Sequence, residues 1–371
     1  MDIKLKDVIV SANTGADAIQ RAPIVDYDTG IKCLRIGDIS NKRKYNDWGY
    51  TNVNEDNYKR YKLKKGNIII ARTGSTVGIN KYIENDYNSV YNNGLIRLVI
   101  DETKYNSRFI YYILQMKKFK NYIDGIAYGT TGQPNIQIDD LLNYKFNDVS
   151  LGVQNKIVKI LSRFDEKIEL NNKINDNLYN QAVAIYNNKF RCTNHGKSNI
   201  GEYLVPKRGK NLLSRDAVLG DVPVVAGGIE PSTYHNISNT KAPVITISAS
   251  GANAGYINLW NIPVWSSDSS YIDNDITDSV YFWYVTLKTR QKEIFDAQTG
   301  SAQPHIYPQH IAELPMNKLN KDNILQYERK VTPFFKMIGK NKKENKYLEQ
   351  LRDTLLPKLM KGEIGLDKIN I

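Results

Sequence analysis

Two stretches of the chain repeat apolar positions at alternating steps of three and four. In the first, Ile157, Leu161 (or Ile160), Phe164, Ile168, Asn171, Asn175, Leu178, Ala182 and Ile185 form the stripe. In the second it is Ile324, Tyr327, Val331, Phe334, Ile338, Asn341, Asn345, Leu348, Leu351 and Leu355. Such spacing is the seam of a coiled coil, and it predicts helices over 152–190 and 321–360. Globular helices usually run ~8–20 residues; each of these would span ~55 Å at ~1.5 Å per residue. Pro333 predicts a kink or a late start in the second helix, and Pro357 an end or bend in its last turns. Each stripe carries two asparagines at matching positions. A polar seam residue costs stability and can fix register, and antiparallel pairing would make these asparagines meet near the middle.

The segments before each helix, about 1–150 and 195–318, have a different grammar of short apolar runs broken by glycine, asparagine and serine. They also repeat one another. At an offset of 170 residues, Tyr111-Tyr112 lands on Tyr281-Phe282, Gln133-Pro134-Asn135-Ile136 on Gln303-Pro304-His305-Ile306, and Phe164, Ile168, Asn171 and Asn175 on Phe334, Ile338, Asn341 and Asn345. Upstream the offset becomes 177. There Ile68-Ile69-Ile70 followed by Gly74-x-x-x-Gly78 matches Val244-Ile245-Thr246-Ile247 followed by Gly251-x-x-x-Gly255. Each reads as a buried strand leading into a loop of small residues. The fold class expected is α+β, with two pseudo-symmetric mixed units separated by two long helices in an antiparallel coiled coil. The divisions expected are 1–151, 152–192, 193–320 and 321–371.

Composition then narrows the function. Lysine and arginine total 51 against 39 acids, a formal charge of +12, which favours a polyanionic partner such as nucleic acid. Cys33 and Cys192 stand far apart, so no disulfide framework follows. No apolar run approaches the ~18 residues of a membrane span, and a cytoplasmic location is expected.

Few residues offer chemistry. An amino-methyltransferase would need a Pro-Pro-aromatic loop, and the chain has no Pro-Pro. Glu344-Asn345-Lys346 and Glu328-Arg329-Lys330 resemble the short part of a nuclease site, yet both lie on the heptad helix, where such charges form a solvated face. Cys192-x-x-His195 lacks a second ligand pair at zinc spacing and reads as a loop. No catalytic residue and no metal site is expected.

The arrangement of unit, helix, unit and helix resembles the specificity (S) subunits of type I restriction–modification systems over essentially the whole chain. The features that carry it are the openings Ile3-Lys4-Leu5-Lys6-Asp7-Val8 and Ile200-Gly201-Glu202-Tyr203-Leu204 and the paired glycine loops. The Gln-Pro motifs at 129–136 and 299–306 and the ending Leu355-Leu356-Pro357-Lys358-Leu359-Met360-Lys361-Gly362 complete the pattern. The resemblance implies that the two units are target recognition domains for the halves of a split DNA site. It also implies two partner methyltransferase (M) subunits that modify adenine N6, and restriction (R) subunits. S-adenosylmethionine, ATP and Mg²⁺ would belong to those partners. A stand-alone DNA-binding regulator with a duplicated reader is the alternative, followed by a coiled-coil interaction protein.

DNA contacts are expected on loops that end strands. In the first unit these are Arg72, Thr73, Ser75, Thr76, Tyr128, Thr130, Thr131 and Gln133, with Arg35, Lys42, Arg43 and Lys44 as phosphate contacts. In the second they are Ser248, Ser250, Asn253, Thr299, Ser301 and Gln303, with Lys207, Arg208 and Lys210 resembling a phosphate-binding stretch. Because the Gln-Pro motif recurs in units expected to read different bases, it reads better as a structural turn. Ile174, Val183, Tyr186, Tyr347 and Leu356 lie off the inner seams and are the candidates for a helical partner.

Overall fold

The computed structural model describes residues 2–128, 132–190, 196–300 and 303–365. The chain divides into two compact units, one of residues 1–166 with 348–371 and one of 167–347. Each unit therefore takes one end of each long helix, Leu151–Phe190 and Lys321–Met360.

In the first unit, an antiparallel sheet runs in the order Ile9–Thr14, Leu95–Ile100, Ile68–Ala71, Asn80–Tyr82. The run Ile68-Ile69-Ile70-Ala71 is buried on both faces, which explains why it is continuously apolar rather than alternating. Ile68 and Ile70 face helix Ser107–Gln115 through Phe109 and Ile113, and join Ile157, Leu161, Leu356 and Leu359 of the long helices in one core. Ile69 and Ala71 face a second core with Leu34, Trp48, Val90 and Tyr91. That core is backed by a second sheet ordered Ile24–Val25, Gly49–Thr51, Lys32–Leu34, Ser89–Tyr91.

The second unit repeats the plan. Its sheet runs Lys207–Arg208, Ser269–Ile272, Val244–Ser248, Ile257–Trp260, with helix Val280–Thr289 packed against it. A smaller sheet is ordered Thr233–His235, Val222–Val225, Trp265–Ser266, and its last pair is parallel, as in the first unit.

The long helices pack antiparallel. In the second unit Asn171 Nδ2 donates to Asn345 Oδ1 at 2.8 Å, and Asn341 Nδ2 donates to Asn175 Oδ1 at 2.9 Å. The 170-residue offset exchanges these two pairs, so the asparagines mark the pseudo-two-fold of the helix pair. Away from the asparagines the symmetry lapses. In the first unit Arg352 Nη1 donates to Asp165 at 2.8 Å, and Tyr112 Oη donates to the same carboxylate at 2.6 Å. The matching positions in the second unit hold Ala182, Phe335 and Phe282, all buried in its apolar core.

For the second helix, the late start, the early end and the place of the buried phenylalanine are corrected. It neither starts late at Pro333 nor ends at Pro357 but is helical from Lys321 to Met360. Pro333 and Arg329, whose carbonyl loses its donor, are both on the exposed side, where solvent can satisfy that carbonyl. The buried phenylalanine is Phe335, stacked on Tyr281 at 4.7 Å, whereas Phe334 is only partly buried.

The helices also anchor the shorter helices of each unit. Glu328 accepts from the backbone N–H groups of Tyr281 (3.1 Å) and Phe282 (2.8 Å), at the start of Val280–Thr289. Burial pushes its carboxyl up to about 7, against the pull of those two bonds. In the first unit the neutral Gln154 has this task, accepting from the Asn106 N–H at 2.8 Å.

Candidate nucleic-acid interface

The glycine loop and the Gln-Pro motif, distant in sequence, form one clasp in each unit. In the first, the Gly74 N–H donates to Pro134 O (3.0 Å), the Ile136 N–H to Arg72 O (2.9 Å) and the Gly78 N–H to Ala71 O (2.8 Å). In the second, the Gly251 N–H donates to Pro304 O (3.0 Å), the Ile306 N–H to Ala249 O (2.9 Å) and the Gly255 N–H to Ser248 O (2.7 Å). All four glycines have positive φ, between 78° and 88°, a region that L side chains avoid. At Gly78 an added Cβ would lie 2.6 Å from Ile123 Cγ2, so the loop must also approach the neighbouring helix closely. The Gln-Pro backbone is thus the strap of the clasp, as its recurrence suggested.

Side chains project from this shared frame. In the first unit Arg72 is half-buried and its Nε donates to Asn135 Oδ1 at 3.1 Å. Thr73 bridges to Asn135, Thr76 is half-buried, and Ser75 and Gln133 are exposed, as is Tyr128. These residues come together; Thr130 and Thr131 lie outside the described residues. Arg35 and Arg43 are less available as phosphate contacts than expected, because both bond the buried Asp38 carboxylate (3.3 and 3.2 Å).

In the second unit Ser250 and Asn253 are half-buried on the clasped loop, and Thr299 is exposed beside the strap, paired with His305. Ser301, like Cys192 and His195, lies outside the described residues. Lys207 and Lys210 are exposed on the edge of the sheet. Ser248 is a correction. It is buried, and its hydroxyl donates to Gly227 O at 2.9 Å, because it is still a residue of the strand and points into the unit. Sequence reasoning also missed Asp268. Its carboxylate accepts from Arg208 Nη2 at 2.6 Å and is bonded by the Ser250 hydroxyl. Nothing in the run Ser266-Ser267-Asp268-Ser269-Ser270 singles it out, since strand pairing alone brings it to Arg208.

Comparison with known proteins places this geometry. The family model for the type I restriction modification DNA specificity domain matches residues 1–180. A Mycoplasma pneumoniae protein assigned as a type I specificity subunit is 27% identical over 281 residues, 70% of this chain and 74% of that protein. The specificity subunit of a Methanocaldococcus jannaschii type I restriction enzyme is 23% identical over 412 aligned positions, covering 99% of this chain and 94% of that one. This chain is similar to type I specificity subunits over nearly its whole length. The crystal structure of the S subunit of a type I system from M. genitalium shares the fold, with a TM-score of 0.50 at 22% identity over 97% of this chain and 95% of that one.

The expected partner face needs correction on the helices. Tyr186 is buried in the second unit, stacked on Phe190 at 5.3 Å, and Leu356 is buried in the core of the first. Val183 is half-buried against the same core as Tyr186. The helices are sheathed by their own units on these faces, so residues off the asparagine seam can still be interior. Ile174 and Tyr347 do lie exposed, Tyr347 at 63%. Among the described residues no cluster of His, Cys, Asp and Glu could hold a metal, and no helix is long and apolar enough to cross a membrane.

Proposed function

We propose that this chain reads a bipartite, asymmetric double-stranded DNA target, one half per unit, and directs two adenine-N6 methyltransferase subunits, with restriction subunits, to that site. S-adenosylmethionine, ATP and Mg²⁺ would be carried by those partners. The observation that supports this reading is the duplicated clasp. The same backbone hydrogen bonds hold the same loop in both units, while the projecting residues differ: Arg72 against Ala249, Thr73 against Ser250, Ser75 against Ala252, Thr76 against Asn253. A rigid frame with exchanged side chains suits two readers of different sequences, because base edges are discriminated by side-chain type. The charge of +12 supplies the sequence-independent attraction to phosphate. Ile174 and Tyr347 are the exposed apolar residues proposed to meet a methyltransferase subunit.

The test is co-expression with a methyltransferase subunit from the same genome, followed by mapping of methylated adenines. A single split motif that disappears when this chain is deleted is expected, and exchange of residues 1–150 for those of another specificity subunit should change one half only. Methylation that is the same with and without the chain refutes the proposal and favours a stand-alone DNA-binding regulator.

A further inference from the structure

Arg208 was expected to hold a phosphate, and its surroundings argue otherwise. Its guanidinium is 44% exposed and bonded through Nη2 to one oxygen of Asp268, while the other oxygen is held by Ser250 on the clasped loop. The Asp268 carbonyl in turn accepts from the Ala249 N–H at 3.2 Å, so the acid is fixed at both ends. A carboxylate at 2.6 Å cancels the charge that attracts phosphate and repels the phosphate itself. For reading a base edge the same carboxylate is an advantage, because it immobilises the planar fork and leaves an edge of donors to pair bidentately.

The backbone gives the first unit the same three positions. Arg208 pairs with Ser270 and Thr14 with Ile96, each preceding a glycine (Gly209, Gly15) whose N–H bonds the partner strand. An added Cβ would fall 2.5 Å from Ser266 O at Gly209 and 2.3 Å from Tyr91 O at Gly15. The Arg72 N–H donates to Gly94 O as the Ala249 N–H does to Asp268 O. Arg208, Asp268 and Ser250 thus stand where the first unit has Thr14, Gly94 and Thr73. A group present in one unit on a frame common to both is placed to distinguish the half-sites.

Resting on the DNA-reading proposal above, we propose that Arg208 is a base-reading residue of the second unit, that Asp268 is its positioning residue, and that the half-site read by this unit contains a guanine contacted by Arg208. Arginine paired to guanine O6 and N7 is the commonest specific contact in the major groove. Lys207 and Lys210, both exposed, remain as phosphate contacts.

The test maps methylated motifs for the full chain co-expressed with its methyltransferase subunit, as wild type, Arg208→Ala, Arg208→Lys, Arg208→Gln and Asp268→Asn. In Arg208→Ala, one guanine in one half of the motif should lose discrimination by roughly 5- to 150-fold, the other half staying fixed, and Arg208→Lys, which reaches the same guanine atoms without the planar fork, should lose less. Arg208→Gln should move the preference at that position toward adenine, whose N6 and N7 glutamine pairs. Asp268→Asn should relax the same position to a smaller extent. Uniformly weaker methylation in Arg208→Ala, with discrimination kept at every position of the motif, would make Arg208 a phosphate contact and overturn the proposal. An unchanged motif in Arg208→Ala overturns it too, leaving DNA reading intact. A wild-type chain that directs no motif at all removes the DNA-reading proposal itself, and this one with it.

Discussion

Replacing Glu328 by glutamine tests how the second unit is fastened to its helix. The carboxyl titrates near 4.5 in the unfolded chain and at about 7 in the fold, because burial penalises its ionised form. Between these values the fold keeps a proton that the unfolded chain has lost. Stability therefore falls as pH rises from 4.5 to 7 and is flat beyond. At 1.36 kcal/mol per unit of pKa difference, ionised Glu328 costs the fold about 3 kcal/mol at pH 8 and less than about 1 kcal/mol at pH 5. Glutamine removes that cost. It also replaces two acceptor oxygens by one, so either the Tyr281 or the Phe282 N–H loses its partner, a penalty of about 1 kcal/mol. The Glu328→Gln protein should be about 2 kcal/mol more stable than the wild type at pH 8 and about equal to it at pH 5. Urea unfolding of the full chain, followed by tryptophan fluorescence, measures this. Trp260, Trp265 and Trp283 of the 4 tryptophans lie in the second unit, so its transition dominates the signal. A variant no more stable than wild type at pH 8, or a difference that does not change between pH 5 and pH 8, would refute the reasoning.

Further substitutions probe the clasp and the helix pair. Gly78→Ala forces an alanine to φ 85° and puts its Cβ 2.6 Å from Ile123, whereas Gly251→Ala meets the strain at φ 78° with open space around it. Melting temperatures should show the first costing about 2–3 kcal/mol and the second about 1 kcal/mol; equal losses would contradict the close approach at Gly78. Arg352→Ala removes a charged hydrogen bond from Asp165 but leaves the Tyr112 hydroxyl on the carboxylate, so a loss of about 2 kcal/mol is expected. A double-mutant cycle with Asp165→Ala should return most of that loss as coupling.

Much of the fold is legible from local pattern. Heptad spacing gives both long helices, because one helical face must be apolar along its whole length for two helices to pair. The offset of 170 residues gives the duplication, whereas the antiparallel sense is seen in the cross-pairing of Asn171 with Asn345 and of Asn341 with Asn175. The positive-φ glycines of the clasp are visible as a spacing of four, since only glycine takes that backbone without strain. The proline at 333 misleads, because local propensity argues against a helix that packing of Val331 and Phe335 nonetheless holds together.

What the sequence determined by itself is therefore the family resemblance, the repeat, the helices and the loops that the two units share. Tertiary structure alone decided which side chains on those loops are available. Ser248 and Ser250 look equivalent in sequence, yet one ends a strand with its hydroxyl turned inward and the other bonds Asp268. Tyr186 and Leu356 fall off the asparagine seam but are covered by the units around the helices. Arg208 meets an acid 60 residues away through the register of two strands. Periodicity encodes which face of an element is apolar, because that depends only on neighbours along the chain. Partners that meet across strands depend on register and loop length, which the whole fold fixes at once.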